Sequence, residues 1–395
     1  MTTIRLRSGH VQPIWAGHPW VFAQAIEDTE GAPAPGDVVS VVDARGKFIG
    51  RGYWSPKSAI PVRILTRDPE DPLDAASLGQ RIDEAYAWRR DLLSLPSEET
   101  TGYRLIHAEG DGLAGLVVDV YGDVAAVQFL TVGMKHREAE IIGHVARVTG
   151  ARSVVEIASE RMQRLEGFAA ETQTVRGEDV DKLTFLERGL GFTVNLRSSQ
   201  KTGFFFDQRE NRATVESLAQ DRRVLDAFCY IGGFSFAAAR GGAREVLALD
   251  SSAEAITAGL MMAAERGLSD RVQFSREDLK KSLPDLHRKK ERFDLAIVDP
   301  PKLAPTSRHL EAGRKAYRRL NAQALRLVER GGLMLTCSCS AAVRPGDFLR
   351  TLGLAARDAN RNIVLLSMGQ QGGDHPVPPS FPEGRYLKSA LLRVT

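Results

Sequence analysis

VLDAFCYIGGFSFAAARGGAREVLALD, residues 224–250, is the stretch whose reading decides the fold. Val224-Leu225 reads as a buried strand ending in Asp226, Gly232-Gly233 as a tight turn, and Phe234 to Arg240 as a short apolar helix. Gly241-Gly242 stops that helix, and Glu245 to Leu249 runs as a second strand into Asp250. This is the opening βαβ half of a doubly wound sheet, in which ligands sit beyond the carboxyl ends of the strands. Gly232 and Gly233 let the backbone approach a ligand and tolerate positive φ. Asp250 stands where an acidic residue grips ribose hydroxyls. A strict G-x-G-x-x-G is absent, and the looser glycines suit a nucleoside without a pyrophosphate. S-adenosylmethionine therefore fits better than NAD. The plainer alternative is a structural turn with Asp250 merely solvated.

The strands downstream extend the pattern. Ala253 to Arg266 reads as a helix and Val272-Gln-Phe as a third strand, with Glu277-Asp278 at its end, where one carboxylate can take an adenine amino hydrogen. Asp294 to Val298 is a fourth strand leading into Asp299-Pro300-Pro301-Lys302. Gly331 to Thr336 is a fifth, ending in Cys337-Ser338-Cys339-Ser340. Asp226, Asp299 and a cysteine thus come to one edge of one sheet. Upstream, Gly203-Phe-Phe-Phe-Asp-Gln-Arg-Glu-Asn-Arg212 runs three aromatics into a polar cluster that opens a helix, with Asp207 as its expected cap. An apolar wall beside Gln208, Arg209 and Asn211 suits an adenine or flipped-base pocket; the alternative is a capped amphipathic helix.

Asp-Pro-Pro after a strand holds the backbone, because each proline locks φ and removes a donor. Carbonyls in such a turn can receive the polar edge of a base. A neighbouring cysteine adds a second chemistry. Pyrimidine C5 is a poor nucleophile, but a thiolate adding at C6 makes C4–C5 enamine-like, and the thiol can later leave. Asp299 can bond N3 and stabilise that adduct. Cys-x-Cys can also bind zinc, but no second pair completes a tetrahedral set, or it can be an inert buried pair. Cys337 and Cys339 fall on the same side of an extended segment, so periodicity does not choose between them.

With 395 residues the chain is long enough for two or three domains. An apolar fraction of 43% and a charged fraction of 26% describe an ordinary soluble protein. A net charge of +3 is compatible with nucleic acid without establishing it. Three cysteines (Cys229, Cys337, Cys339) make no disulfide framework and point to a reducing compartment. MTTIRLRSGH carries no apolar signal core, and no membrane association is expected. The expected location is the cytoplasm.

Residues up to about 72 read as a small β-barrel: a strand from Asp37 to Asp43, a turn at Ala44-Arg45-Gly46, an answering strand from Lys47 to Gly52, and another from Ile60 to Leu65. GHPWVF (17–22) and GRGYWSPK (50–57) mix aromatic with basic residues, as base-stacking and phosphate-binding surfaces do. Trp20 and Phe22 suit the barrel core; Arg51, Tyr53 and Lys57 are the contact candidates. Arg67-Asp-Pro-Glu-Asp-Pro72 is a polar linker. An α+β region follows, in which Arg104, His107, Glu109 and Asp111 can line a groove. Basic residues between Gly313 and Arg319 are further phosphate candidates, or a solvated helix face.

Taken together these motifs resemble the bacterial ribosomal RNA large subunit methyltransferase I family, whose members methylate C5 of a cytosine in 23S rRNA. The resemblance runs over essentially the whole chain: GHPWVF, GRGYWSPKS, Gly110-Asp-Gly-Leu, Lys201-Thr-Gly-Phe-Phe-Phe-Asp-Gln-Arg-Glu-Asn-Arg212, Asp299-Pro-Pro-Lys302, Ser338-Cys-Ser340, Asp374-His-Pro376 and Phe381-Pro-Glu-Gly-Arg-Tyr-Leu-Lys388. It implies an α/β fold, with an N-terminal PUA β-barrel (1–72), a central α+β domain (73–190) and a Rossmann-like class I methyltransferase domain (191–395). It implies S-adenosylmethionine near Asp226, Gly232, Asp250, Asp278 and Asp299, and Phe228, Gly233, Ser251, Pro300, Gln208 and Arg209 are the further expected cofactor-binding residues. It selects Cys339 as nucleophile; Asp299 joins it by the chemistry above, and Arg51, Tyr53, Lys57 and Lys302 are the expected RNA contacts. The implied partners are 23S rRNA and a second copy of the chain, with no metal. Other RNA cytosine-5 methyltransferases carry a second cysteine after the proline of the fourth-strand motif; here Lys302 follows Pro301. The rival readings are a base N-methyltransferase using Asp299-Pro300-Pro301 without a thiol, and an RNA-binding protein with a vestigial cofactor fold.

Overall fold

The computed structural model describes residues 2–196 and 203–395 and divides into two compact units, Met1–Phe206 with Gly373–Gly384, and Asp207–Gly372 with Arg385–Thr395. Lys201 and Thr202 of the motif quoted above lie outside the described residues.

The first unit opens with strands β1 (Thr2–Leu6), β2 (Trp20–Val21), β3 (Ile26–Glu30), β4 (Val38–Val42), β5 (Phe48–Trp54) and β6 (Val62–Thr66), and a short helix α1 (Val11–Trp15). They form one sheet in the order β2-β6-β5-β4-β1-β3. Ile4, Leu6, Val21, Val39, Val41, Ile49, Val62 and Ile64 fill its core, the inward halves of alternating strands. The β4–β5 hairpin falls where the sequence places it. Asp43 Oδ1 accepts from the amides of Arg45 (2.8 Å) and Lys47 (2.9 Å), and Gly46 sits at φ 85°. Gly52 is required by close approach, since a Cβ there would lie 2.0 Å from the Arg63 carbonyl on β6.

The same unit continues with α2 (Ala75–Leu93), β7 (Gly102–His107), β8 (Leu116–Tyr121), β9 (Val124–Phe129), α3 (Val132–Lys135), α4 (Glu138–Thr149), β10 (Ser153–Glu156), α5 (Glu160–Glu166), β11 (Gln173–Arg176), β12 (Lys182–Glu187) and β13 (Leu190–Asn195). Strands β11-β10-β9-β8-β7 make a five-stranded sheet, and β12 pairs with β13. Phe204 and Phe206 pack with Tyr121, Phe185 and Phe192 at centroid distances of 4.9–5.4 Å. Both are at most 5% exposed, so they complete the core of this unit rather than wall a base pocket. Their apolar area is removed from water against other aromatics, the larger gain available to adjacent phenylalanines.

The second unit contains α6 (Arg209–Leu218), β14 (Arg223–Ala227), α7 (Gly233–Arg240), β15 (Glu245–Asp250), α8 (Ala253–Glu265), β16 (Val272–Arg276), α9 (Leu279–Arg288), β17 (Phe293–Val298), α10 (Leu310–Leu325), β18 (Val328–Ser338), α11 (Pro345–Ala359), β19 (Ile363–Gly369) and β20 (Lys388–Val394). The sheet order is β16-β15-β14-β17-β18-β20-β19. The first five run parallel, and β20 is antiparallel to both its neighbours. Alternation splits the side chains between two faces. Leu225, Ala227, Ala296, Val298 and Met334 join one apolar cluster, while Val224, Leu295, Ile297, Leu333 and Leu335 join the other. Helices cover both faces, which is why these strands read as continuous apolar runs. The chain order reverses between β14 and β17, and a crevice at such a switch point is where open α/β sheets bind ligands.

Candidate active site

Asp226 lies inside β14, one residue before its end, and is 0% exposed. Its Oδ2 accepts a 2.6 Å hydrogen bond from Ser235 Oγ, while Oδ1 meets no hydrogen-bond donor among the described residues. Burial raises its pKa to about 7, against the opposing pull of the Ser235 hydrogen bond. Beyond Asp226 the backbone takes three left-handed residues: Phe228 (φ 68°), Tyr230 (φ 53°) and Gly232 (φ 91°). Two of them are not glycine, so the turn stores strain of the kind concentrated at functional sites. The Phe228 and Cys229 amides both donate to the Leu249 carbonyl (2.9 and 3.0 Å), which draws the turn over the end of β15. There Asp250 accepts from the amides of Tyr230 (3.0 Å) and Ser252 (2.9 Å). A buried carboxylate oxygen without a donor, beside a second carboxylate and a glycine turn, suits a ligand bearing an ammonium group and hydroxyls. Gly233 begins α7 and is buried, and Ser251 is exposed beside Asp250. Asp278 is exposed and caps α9 by accepting from the Lys280 amide at 3.1 Å.

The strand ends meet as the sequence suggests. The Asp299 amide donates to the Ala227 carbonyl (3.3 Å), tying the loop after β17 to the end of β14. Pro300 is buried, Lys302 is exposed, and Cys339 Sγ points at the Pro300 carbonyl from 4.0 Å. Strand β18 extends further than Gly331 to Thr336 and stops at Ser338, leaving Cys339 as the first residue of the following turn. The two cysteines therefore differ sharply. Cys337 is 0% exposed, with Sγ 3.9 Å from Gln208 Oε1, and burial pushes its thiol well up. Cys229 is buried with the same consequence, and Cys339 is half-buried.

Both serines of the Ser338-Cys-Ser340 motif are 0% exposed and frame that turn. Ser338 Oγ accepts from the Ser340 amide (3.4 Å). Ser340 Oγ accepts from the Ala304 amide (3.0 Å) and lies 3.0 Å from the Tyr317 hydroxyl. The Ser340 carbonyl accepts from Lys388 Nζ at 2.7 Å. Tyr317 and the Lys388 ammonium hold this turn, contacts that sequence reasoning missed. Their signals were the Gly313–Arg319 segment and the FPEGRYLK motif, which give no partner.

Placement shows what several of the expected site residues touch. Asp207 does not cap α6, whose N-cap is Gln208 without a side-chain bond; its Oδ2 accepts from the Tyr386 hydroxyl at 2.6 Å instead. Gln208 is buried and committed to Asn211 Nδ2 (2.5 Å), and Arg209 is buried too. Arg51 is 8% exposed and donates to the carbonyls of Pro69 (3.1 Å) and Asp71, so it holds the linker after the barrel. Tyr53 is 4% exposed, with the Arg137 guanidinium 3.8 Å from its ring centroid and its hydroxyl donating to Leu73 O (3.3 Å). Backbone carbonyls take hydrogen bonds from both terminal nitrogens of the buried Arg51 guanidinium, while its Nε meets no acceptor among the described residues. Lys57 is exposed. The groove residues of the central region instead build an ion network, with Arg104 on Asp119, Arg89 on Asp111 and Trp20 Nε1 donating to Glu109 (2.8 Å). His107 within it is held neutral, its pKa driven well down first by burial and then by His375.

Comparison with known proteins follows the same lines. The family model of an S-adenosylmethionine-dependent methyltransferase matches residues 158–383, and that of a PUA-like domain matches residues 4–67. Ribosomal RNA large subunit methyltransferase I of Tolumonas auensis is 34% identical over 395 residues, covering 99% of both chains. Its counterpart in Shewanella denitrificans is 36% identical over 394 residues, again at 99% of both. Among solved structures, SMU.776 complexed with SAH superposes with a TM-score of 0.86 at 20% identity, covering 100% of both chains. At that identity the likeness establishes the fold. An orphaned carboxylate at Asp226 and the strained turn to Asp250 fit the amino-acid and ribose parts of S-adenosylmethionine.

Proposed function

The chain belongs to the ribosomal RNA large subunit methyltransferase I family of S-adenosylmethionine-dependent enzymes, and from that premise we propose that it forms 5-methylcytosine in 23S rRNA through a Cys339 thiolate. The observation that carries the reading is the position of Cys339, half-buried in the turn after β18 with Sγ 4.0 Å from the Pro300 carbonyl, while the other two cysteines are buried.

Asp226, Phe228, Gly232, Gly233, Asp250, Ser251, Asp278, Asp299, Pro300, Gln208 and Arg209 would hold S-adenosylmethionine. When bound, it supplies an electrophilic methyl group on its sulfonium. Cys339 adds to C6 of the cytosine, and electron density rises at C5, the position methylated. Asp299, sharing a proton with N3, stabilises the adduct, and the Pro300 carbonyl orients the polar edge of the base. Loss of the C5 proton then expels the thiolate. Lys302 occupies the position after Pro301, so release proceeds without a second thiol.

The PUA barrel (1–72), central domain (73–190) and catalytic domain (191–395) share the work as RNA binding, spacing and chemistry. Lys57 and Lys302, both exposed, reach phosphates of 23S rRNA, naked or in a large-subunit precursor in the cytoplasm. A homodimer is supported by the edge strand β19, where Val364, Leu365, Leu366 and Met368 are 38–50% exposed; an uncharged apolar edge calls for a partner. Light scattering of the wild type and of Leu365→Lys tests it: a dimer that becomes monomeric supports the proposal, and a wild-type monomer removes it.

The deciding experiment is nucleoside mass spectrometry of 23S rRNA from cells with and without the gene, repeated with Cys339→Ala. Loss of one 5-methylcytidine in both mutants is the expected result. Loss of a methylated exocyclic or ring nitrogen, with Cys339→Ala still active, would favour the N-methyltransferase reading and discard the thiolate.

A further inference from the structure

Lys388 opens β20 directly opposite Ser338 of β18. Its side chain is buried, the residue being 4% exposed, and Nζ donates to the carbonyls of Ser340 and Tyr386, each at 2.7 Å. The ammonium therefore bridges the turn that carries Cys339 and the segment entering β20. No carboxylate forms an ion pair with it among the described residues. A buried cation without a counter-charge is costly, and proteins keep one where it answers an anion that forms in function. An ammonium has three protons, of which the two carbonyls take two.

We propose that Lys388 is a positioning residue for the reaction: it clamps the turn that carries Cys339 and supplies the counter-charge for that residue's thiolate. The inference rests on the reading of Cys339 as the nucleophile. The groups around the sulfur divide in their effect. Cys339 and Lys388 on β20 attract each other's charged forms, Lys302 in the loop after β17 acts on Lys388, and ionised Asp299 at the end of β17 acts on the neighbouring Cys337 thiol. Tyr317 on α10 and Cys337 on β18 are held neutral, chiefly by burial. Burial also lowers the Lys388 pKa to about 8, with Cys339 pulling it back up and Lys302 pressing it further down. That coupling accompanies the geometry, in which Nζ holds the carbonyl of Ser340, the residue next to Cys339.

The test is the pH dependence of iodoacetamide alkylation at Cys339 in the full-length chain, read by peptide mass spectrometry. Lys388→Gln keeps a donor for the carbonyls and removes the charge. We expect its alkylation midpoint to move up by about one pH unit, making labelling at pH 7 roughly tenfold slower. Lys388→Arg, which keeps the charge, should return the profile to that of the wild type. An unshifted profile in folded Lys388→Gln, or a full-unit shift in folded Lys388→Arg, overturns the proposal. The nucleophile reading fails separately, if Cys339→Ala still methylates RNA, because alkylation reports the lysine–thiol pairing without any turnover.

Discussion

The Tyr317 hydroxyl lies 3.0 Å from Ser340 Oγ, and both residues are 0% exposed. The same Ser340 oxygen accepts from the Ala304 amide in the loop between β17 and α10. One hydroxyl thus ties the turn after β18 to both neighbouring segments. Ser340→Ala leaves a buried amide without its acceptor and should cost about 1–3 kcal/mol. Urea denaturation measures that loss. A fall in kcat larger than the fall in S-adenosylmethionine affinity would show that the hydroxyl positions Cys339.

Native-state labelling should separate the cysteines. Cys339 is half-buried, whereas Cys229 and Cys337 are 4% and 0% exposed with their thiols held protonated by burial. One equivalent of iodoacetamide adduct, at Cys339, is expected before unfolding, and three after it. Modification of Cys337 in the folded protein would contradict the burial that distinguishes the two.

Asp226 should make stability depend on pH. Its folded pKa of about 7 exceeds the ordinary 3.8, so the folded state binds the proton more tightly. The stabilisation is complete below about pH 4 and is lost as pH rises through about 7, amounting at most to something on the order of 4 kcal/mol. Asp226→Asn removes that slope. Comparing denaturation midpoints at pH 4.5, 6 and 7.5 for the two proteins checks it; parallel curves would refute the assignment.

In the first unit the Arg89 guanidinium is fully buried on Asp111, and it also donates to the carbonyls of Arg104 (3.0 Å) and Asp374 (2.8 Å). Removing one member strands the other. Asp111→Ala should lower stability by about 3–5 kcal/mol, read from chemical denaturation. A change below about 1 kcal/mol would mean that water or a neighbour replaces the carboxylate.

Local pattern made the catalytic fold legible. The apolar runs at Val224, Glu245 and Asp294, with glycines and aspartates at their ends, are each a local signal, and β14, β15 and β17 form there. The Asp43 turn and its flanking strands were equally readable, because a carboxylate accepting from amides two and four residues on is a local interaction.

Composition alone does not show the contacts of residues whose environment is set at a distance. Arg51 and Tyr53 look like RNA contacts in a basic aromatic segment, yet carbonyls and a guanidinium 18 to 84 residues away claim them. Phe204 and Phe206 look like a pocket wall, but the β12–β13 hairpin and Tyr121 enclose them.

By itself, the sequence determined the α/β class, the order of the strands that carry chemistry, and which residue types reach their ends. These depend on periodicities of two and 3.6 residues, which act over a few positions. Periodicity treats Cys337 and Cys339 alike, and the tertiary structure gives them different environments. Alternation puts both on one side only while the strand lasts, and β18 ends between them, burying one and leaving the other half-open. The same holds for Lys388, which reaches Ser340 across 48 residues through an antiparallel pairing of β18 with β20. Burial and strand partnership are properties of the assembled sheet, so no local pattern contains them.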